Sequence, residues 1–257
     1  MTNYWQSAAR AVKELPMSEA EREARVQLAA CYRIFNHLGW TEMIFNHITL
    51  RVPGPERLFL INPFGLHYSE VKASNLVLVD SAGSVVRPSE WPINRAGFVI
   101  HAAIHGAIEE AHCVMHTHTT TGMAVACLKE GLSYTNFYSA QLYGRVAYHD
   151  FEGITVELEE QQRLVRDIGD KPAAILRNHG LLAWGANIPQ AFMLLWTLQR
   201  ACDVQISSSS AGELQPIDPK VFEQTVREAG PSEQRLCEDV FNAMRRLVDA
   251  KDPSYRD

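Results

Sequence analysis

The sequence predicts a three-layer α/β fold, with helices covering both faces of a β-sheet. Segments with helical spacing of apolar residues alternate with short β-rich runs along the chain, the pattern of layered α/β domains. Of the 257 residues, 46% are hydrophobic and 21% charged, enough apolar material for a large core. No apolar run approaches the roughly 20 residues that a membrane-spanning helix needs, so that material is expected inside the protein.

Taken in order, Ser18 stands three residues before Glu21, a capping box that opens a helix through "EREARVQLAACYRIFNHLG", ending near Gly39. The runs "NHITLRV" and "RLFLINPFG", split by the turn "PGPE", read as a β-hairpin. "NLVLVD" and "GSVV" read as a second strand pair around "SAG". From Asn94, a favourable N-cap, "NRAGFVIHAAIHGAIEEA" reads as a helix. "HCVMHTH" is a strand, and a helix over "TTTGMAVACL" follows almost at once. "RVAYHD" and "AAILRNHG" are further short strands, and "IPQAFMLLWTLQRACDVQISSSS" is a long helix with a mostly apolar face. A Ser/Gly/Pro-containing break at 207–219 precedes a final amphipathic helix over roughly 219–249. No internal repeat interrupts this order, and length alone leaves one large domain or two small ones open.

The net charge is −6 and the Lys and Arg residues are scattered. A nucleic-acid partner would show as a basic patch, and none is visible. The opening "MTNYWQSAARAVKELPMSEAE" lacks a basic segment followed by an apolar core, so no secretory signal is expected. Cys31, Cys113, Cys127, Cys202 and Cys237 are odd in number, widely spaced and form no CxxC pair. They read as small buried hydrophobes in a reducing compartment, so a cytoplasmic protein with no membrane partner is expected.

The chemistry lies in "HCVMHTH". Side chains two apart on a strand share a face, so His116 and His118 project together while Thr117 points away. Two neutral imidazoles on one strand can each reach a metal at about 2.0–2.1 Å. His179 in "LRNHG" is the best third ligand, at a strand end where Gly180 permits a tight turn. A single histidine ending a strand is ordinarily structural. His101 and His105, spaced i, i+4, fit packing or hydrogen bonding at a helix–sheet seam better than metal binding. His37, His67 and His112 have no evident partner, and His47 and His149 are open to either reading.

"VMHTHTTTGMAVA" followed at a distance by "AAILRNHGLLAWG" resembles the class II aldolase/adducin family. So do "NHITLRVPG", "FLINPFGLHYSEVKASNLVLVD", "NRAGFVIHAAIHGA" and "GRVAYHDFEG", which leave only the ends uncovered. The resemblance implies an αβα sandwich around a mixed, mainly antiparallel sheet, as one domain over 1–257 with about 213–257 as a C-terminal helical extension. It implies a divalent metal held by His116, His118 and His179, and a homotetramer with active sites at subunit interfaces. Zn2+ is the leading metal, with Mn2+, Fe2+, Ni2+ and Co2+ compatible with a three-histidine set.

The sequence departs from the sugar-phosphate aldolases of that family. Their catalytic glutamate, on the helix before the histidine strand, aligns without gaps with Gly97. A rival alignment through "PSEW" nominates Glu90 but needs an insertion before His116. The positions matching the family's phosphate cradle read Asn46–His47, Phe64–Gly65 and Arg95–Ala96. Only Gly65 survives; Phe64 would crowd a phosphate, while His47 and Arg95 could hold a carboxylate. The aldolases' interfacial tyrosine best matches Tyr138, with Tyr134 and Tyr143 as rivals, and His149 could serve as a base if it faces the site.

Fold alone does not dictate reaction. The leading expectation is a metal-dependent lyase that cleaves a C–C bond, by retro-aldol reaction or decarboxylation, in a small non-phosphorylated carbonyl or carboxylate substrate. The alternatives are a non-catalytic adducin-head-like module that binds cytoskeletal protein, and an iron-dependent oxygenase built on the same ligands.

Overall fold

The computed structural model describes residues 16–153, 158–229 and 233–257. The reading of the N-terminal segment falls mostly on residues 1–15, outside these.

The strands are β1 (His47–Arg51), β2 (Leu58–Ile61), β3 (Val77–Asp80), β4 (Cys113–Thr117), β5 (Val146–His149), β6 (Ala173–Leu176) and β7 (Gly180–Gly185). They form a seven-stranded sheet in the order β3-β2-β1-β4-β7-β6-β5. Neighbours are antiparallel except β5 and β6, which run parallel. The predicted three-layer sandwich with a mixed, mainly antiparallel sheet is therefore what the chain adopts.

The helices are α1 (Glu19–Leu38), α2 (Arg95–Ala107), α3 (Thr120–Ala126), α4 (Phe137–Gln141), α5 (Leu158–Ile168), α6 (Ile188–Ser209), α7 (Pro219–Ala229) and α8 (Glu233–Lys251). Alternation along β4 assigns the two faces. Cys113 and Met115 join Leu28, Tyr32 and Phe35 of α1, Phe192 and Leu195 of α6, and Phe241 of α8 in one core. Val114 faces the other way, against Ile100 and Ile104 of α2 and Leu164 and Ile168 of α5. His116 shares that second face.

Tyr32 fastens α1 to the sheet. Its buried hydroxyl donates to Ile48 O (2.6 Å) and accepts from Ile48 N (2.9 Å), so a phenol carries the contact without an unpaired polar atom. Helix α1 ends at Gly39, whose φ of +75° suits glycine, and Trp40 N closes back onto Phe35 O. At its start Ser18 caps Glu21 N, but the Glu21 carboxylate does not complete the box. It pairs instead with Arg25 (2.9 Å) and Arg87, while Arg25 also donates to Ala73 O and Leu76 O.

Several expectations shift. "GSVV" contributes a single bridge, Val79 to Val85, rather than a strand. The expected terminal helix is two helices, α7 and α8, on either side of Gly230 and Pro231, and a proline lacks the N–H that a continuous helix needs. Strand β7 and helix α5 were not among the expected elements. "GLLAWG" is buried along most of its length, so it shows no polar–apolar alternation.

Candidate metal centre

His116 lies at the end of β4, a strand bonded on both sides by β1 and β7. Its Nδ1 donates to Leu181 O (2.8 Å) across the β4–β7 ladder, which leaves Nε2 bare and aimed at His118. His118 follows the strand, and Asn46 holds that exit: its Oδ1 accepts from His118 N (2.8 Å) and its Nδ2 donates to Trp40 O (3.0 Å).

His179 arrives from the β6–β7 turn. The left-handed residue there is Asn178, φ +57°, not Gly180. Gly180 is required for a different reason: a Cβ there would overlap Thr117 O and crowd the His118 and His116 rings (3.1 and 3.2 Å). The glycine lets β7 approach the histidine strand.

The three imidazoles converge, with ring centroids 4.4–4.9 Å apart and one nitrogen from each within 4.8 Å of the others. Burial, then the imidazoles of His118, His179 and His47, holds His116 well below the ordinary histidine range. Burial and His179 bring His118 down to about 4, and burial also lowers His179. All three are therefore neutral at pH 7, the form that ligates metal. Nε2 of His116 and His118 stand 2.6 Å apart. Two nitrogens on one tetrahedral zinc sit roughly 3.3 Å apart given bonds of about 2.0–2.1 Å, so a small opening of the pair would admit the ion. A ligating histidine ordinarily donates its other ring N–H to a carbonyl or carboxylate, as His116 does to Leu181 O. The residues fit a divalent metal.

The cluster opens into a cavity of about 580 Å³ lined by His47, His118 and His179 together with Phe45, Phe64 and Phe151. Among the described residues lining it there is no lysine or arginine. Phe64 lies on this wall as expected, whereas Gly65 is exposed at φ +113° over Trp91.

His47 stands directly across the β1–β4 ladder from His116. Behind it runs a buried polar row: His47 Nδ1 to His101 Nε2 (2.8 Å), His101 Nδ1 to Thr49 Oγ1 (2.7 Å), Thr49 Oγ1 to His105 Nε2 (2.8 Å), and His105 Nδ1 to Ala111 O (2.6 Å). His101 and His105 thus bond at the helix–sheet seam, as their spacing suggested. Helix α2 also brings Gly97 against the His47 ring; a Cβ there would fall 2.5 Å from His47 Cδ2 and closer still to Nε2.

Other candidates lie apart. Glu90 is exposed and lines a separate groove with Arg25 and Arg87, because α2 begins after it and carries only residues from Arg95 onward past the site. Arg95 is exposed at the first residue of α2, and its neighbours Asn94, Ala96 and Gly97 reach the cavity instead. Tyr138 packs edge-on against Trp196 (5.5 Å) beneath Arg200 and does not line the cavity of its own chain. His149 bonds Asp167 through Nδ1 (2.8 Å) and shares a small adjoining cavity with His179 and Phe151. Sequence reasoning read Asn46 as a cradle position, whereas it supports His118, and missed Thr49 and Leu181 O, which carry no signal of their own until the strands pair.

Residues 26–206 match the family described as Class II Aldolase and Adducin N-terminal domain. A Caulobacter vibrioides protein whose name places it with the class 2 aldolases is 42% identical over 94% of this chain and 95% of its own. Rat alpha-adducin is 38% identical over 90% of this chain, which spans 34% of that protein. An aldolase II superfamily protein from Pseudomonas syringae superposes with a TM-score of 0.89 at 44% identity, covering 93% of this chain and 97% of that one. The L-fuculose 1-phosphate aldolase of Glaciozyma antarctica gives 0.83 at 29% identity, covering 96% and 97%.

Proposed function

This chain belongs to the class II aldolase and adducin family, and from that premise we propose that it is a divalent-metal-dependent lyase. Its reaction is cleavage of a C–C bond, by retro-aldol reaction or decarboxylation, in a small non-phosphorylated carbonyl or carboxylate compound. The observation that carries this reading is the convergence of His116, His118 and His179 at the wall of a cavity large enough for a small molecule. Those three residues would hold the ion, zinc being the leading choice. When bound, such an ion polarises a carbonyl oxygen and stabilises the enolate-like charge that C–C cleavage leaves.

The chain's own residues bind and orient. Leu181 O aims His116, Asn46 positions His118, and Phe45, Phe64 and Phe151 give the cavity an apolar wall. Phosphate recognition needs cations or free N–H groups, and the lack of lysine or arginine on the described lining favours a substrate without one. We place the protein in a reducing, cytosolic compartment, consistent with its free cysteines, and as a homotetramer whose partner subunit brings Tyr138 to the cavity.

A second reading is a non-catalytic adducin-head-like module, favoured by Gly97 in place of the aldolase glutamate and by the likeness to adducin. Elemental analysis decides between them. Protein purified without added metal should carry about one transition-metal ion per chain, lost in a His116→Ala, His118→Ala variant of unchanged circular dichroism. A metal-free wild type that also fails to take up zinc, manganese or ferrous iron on dialysis would overturn the lyase and leave the module.

A further inference from the structure

The row His47–His101–Thr49–His105 has a direction. Ala111 O can only accept, so His105 donates to it through Nδ1. Burial lowers His105 to about 4, so at neutral pH it carries one ring proton and its Nε2 must accept. The Thr49 hydroxyl then donates to His105 Nε2 and, having one hydrogen, can only accept from His101 Nδ1. That leaves His101 Nε2 to accept from His47 Nδ1. The bare nitrogen at the end of the row is Nε2 of His47, which meets the cavity over Gly97. One backbone carbonyl therefore dictates the tautomer of an imidazole three side chains away.

We infer that His47 is the hydrogen-bond acceptor of this cavity, locked with Nε2 bare by His101, Thr49 and His105, and that the substrate presents a hydroxyl to it. The inference deepens the lyase reading and rests on it only for the substrate's carbonyl; together they specify a hydroxy-carbonyl or hydroxy-carboxylate compound. It also reverses the expectation that His47 grips a carboxylate by charge, since an outward lone pair repels an anionic oxygen. Gly97 fits the same scheme. A glutamate there would need the space His47 fills, so the acceptor is supplied from β1 instead of from α2. His101, Thr49 and His105 are positioning residues that act through His47.

The test reads imidazole tautomers by long-range ¹H–¹⁵N correlation at pH 7.5, on ¹⁵N-labelled protein without added metal. His47, His101 and His105 should all appear protonated at Nδ1 only; a His47 protonated at Nε2 overturns the inference. Thr49→Val keeps the shape of the side chain and removes the hydroxyl. It should release His47 into a mixture of tautomers, and Thr49→Ser should restore the single form. An unchanged His47 spectrum in folded Thr49→Val overturns the relay; if that variant does not fold, the wild-type and Thr49→Ser spectra decide. For the substrate half, zinc-loaded wild type should favour glycolate over acetate by a ratio about three- to tenfold larger than zinc-loaded Thr49→Val does, the net worth of one hydrogen bond. Equal ratios would refute the hydroxyl assignment. Tautomers are read without metal or turnover, so a failed lyase reading, seen as absent metal, remains distinguishable from a failed relay.

Discussion

The imidazole of His47 occupies the space into which a side chain at residue 97 would grow. The two positions therefore constrain each other across the β1–α2 seam, and a substitution at either is felt at the other. Gly97→Ala should destabilise the fold by about 1–3 kcal/mol, the usual cost of overpacking. In a His47→Ala background the same change should cost markedly less, because the colliding ring is gone. Urea denaturation of the two single variants and the double variant checks this; strictly additive losses would show that the overlap is relieved elsewhere.

Asn46 holds the backbone of His118 without touching a ligand nitrogen. Asn46→Ala should leave the chain folded and weaken zinc binding roughly tenfold, the lower end of what losing a group that orients a ligand costs. Competition against a chromophoric chelator measures it, and wild-type affinity would show that β4 alone sets His118.

His105 gives the stability a pH dependence with a definite sign. Burial depresses it from 6.5 to about 4, so folding disfavours its protonation. Its contribution is complete above about pH 6.5, falls as the pH drops toward 4, and levels off below that. The 2.5-unit gap corresponds to about 3 kcal/mol at about 1.4 kcal/mol per unit. Stability measured at pH 7.5 and 4.5 should drop less in His105→Gln than in wild type; equal drops would place the proton uptake on other groups.

Arg25 is buried with Glu21, and two backbone carbonyls, Ala73 O and Leu76 O, depend on its guanidinium. Arg25→Met keeps the apolar stem and strands those acceptors. A loss of about 3–5 kcal/mol is expected, as when one partner of a buried ion pair is removed. A loss under about 1 kcal/mol in thermal or urea melts would mean that Arg87 takes over its role.

The triad was legible because it depends on local rules. A strand's period of two sets His116 and His118 on one side, and an Asn-His-Gly turn brings the third imidazole to a strand end. The i, i+4 spacing of His101 and His105 likewise announced a shared helical face. Thr49 gives no such signal, and His47 is marked only through the family's cradle position, since the partners of both come from the packing of α2 over β1, half a hundred residues away. Strand β7 escaped notice because a strand buried along its length loses the alternation that marks the others. Gly180 is required by Thr117 O in a different strand and not by the turn, since its φ lies outside the left-handed region.

Strand β4 has a neighbour on each side from Cys113 to His116, with β7 alone continuing to Thr117. Its amides point alternately to β1 and to β7, so each meets solvent only when one of these two central ladders parts. The peptide groups of 113–116 should accordingly be among the slowest in the molecule to exchange their hydrogens, with or without an ion present. The ligand His116 is thus ordered by the fold itself. An ion arriving there finds its first ligand already standing on a slowly breathing central strand.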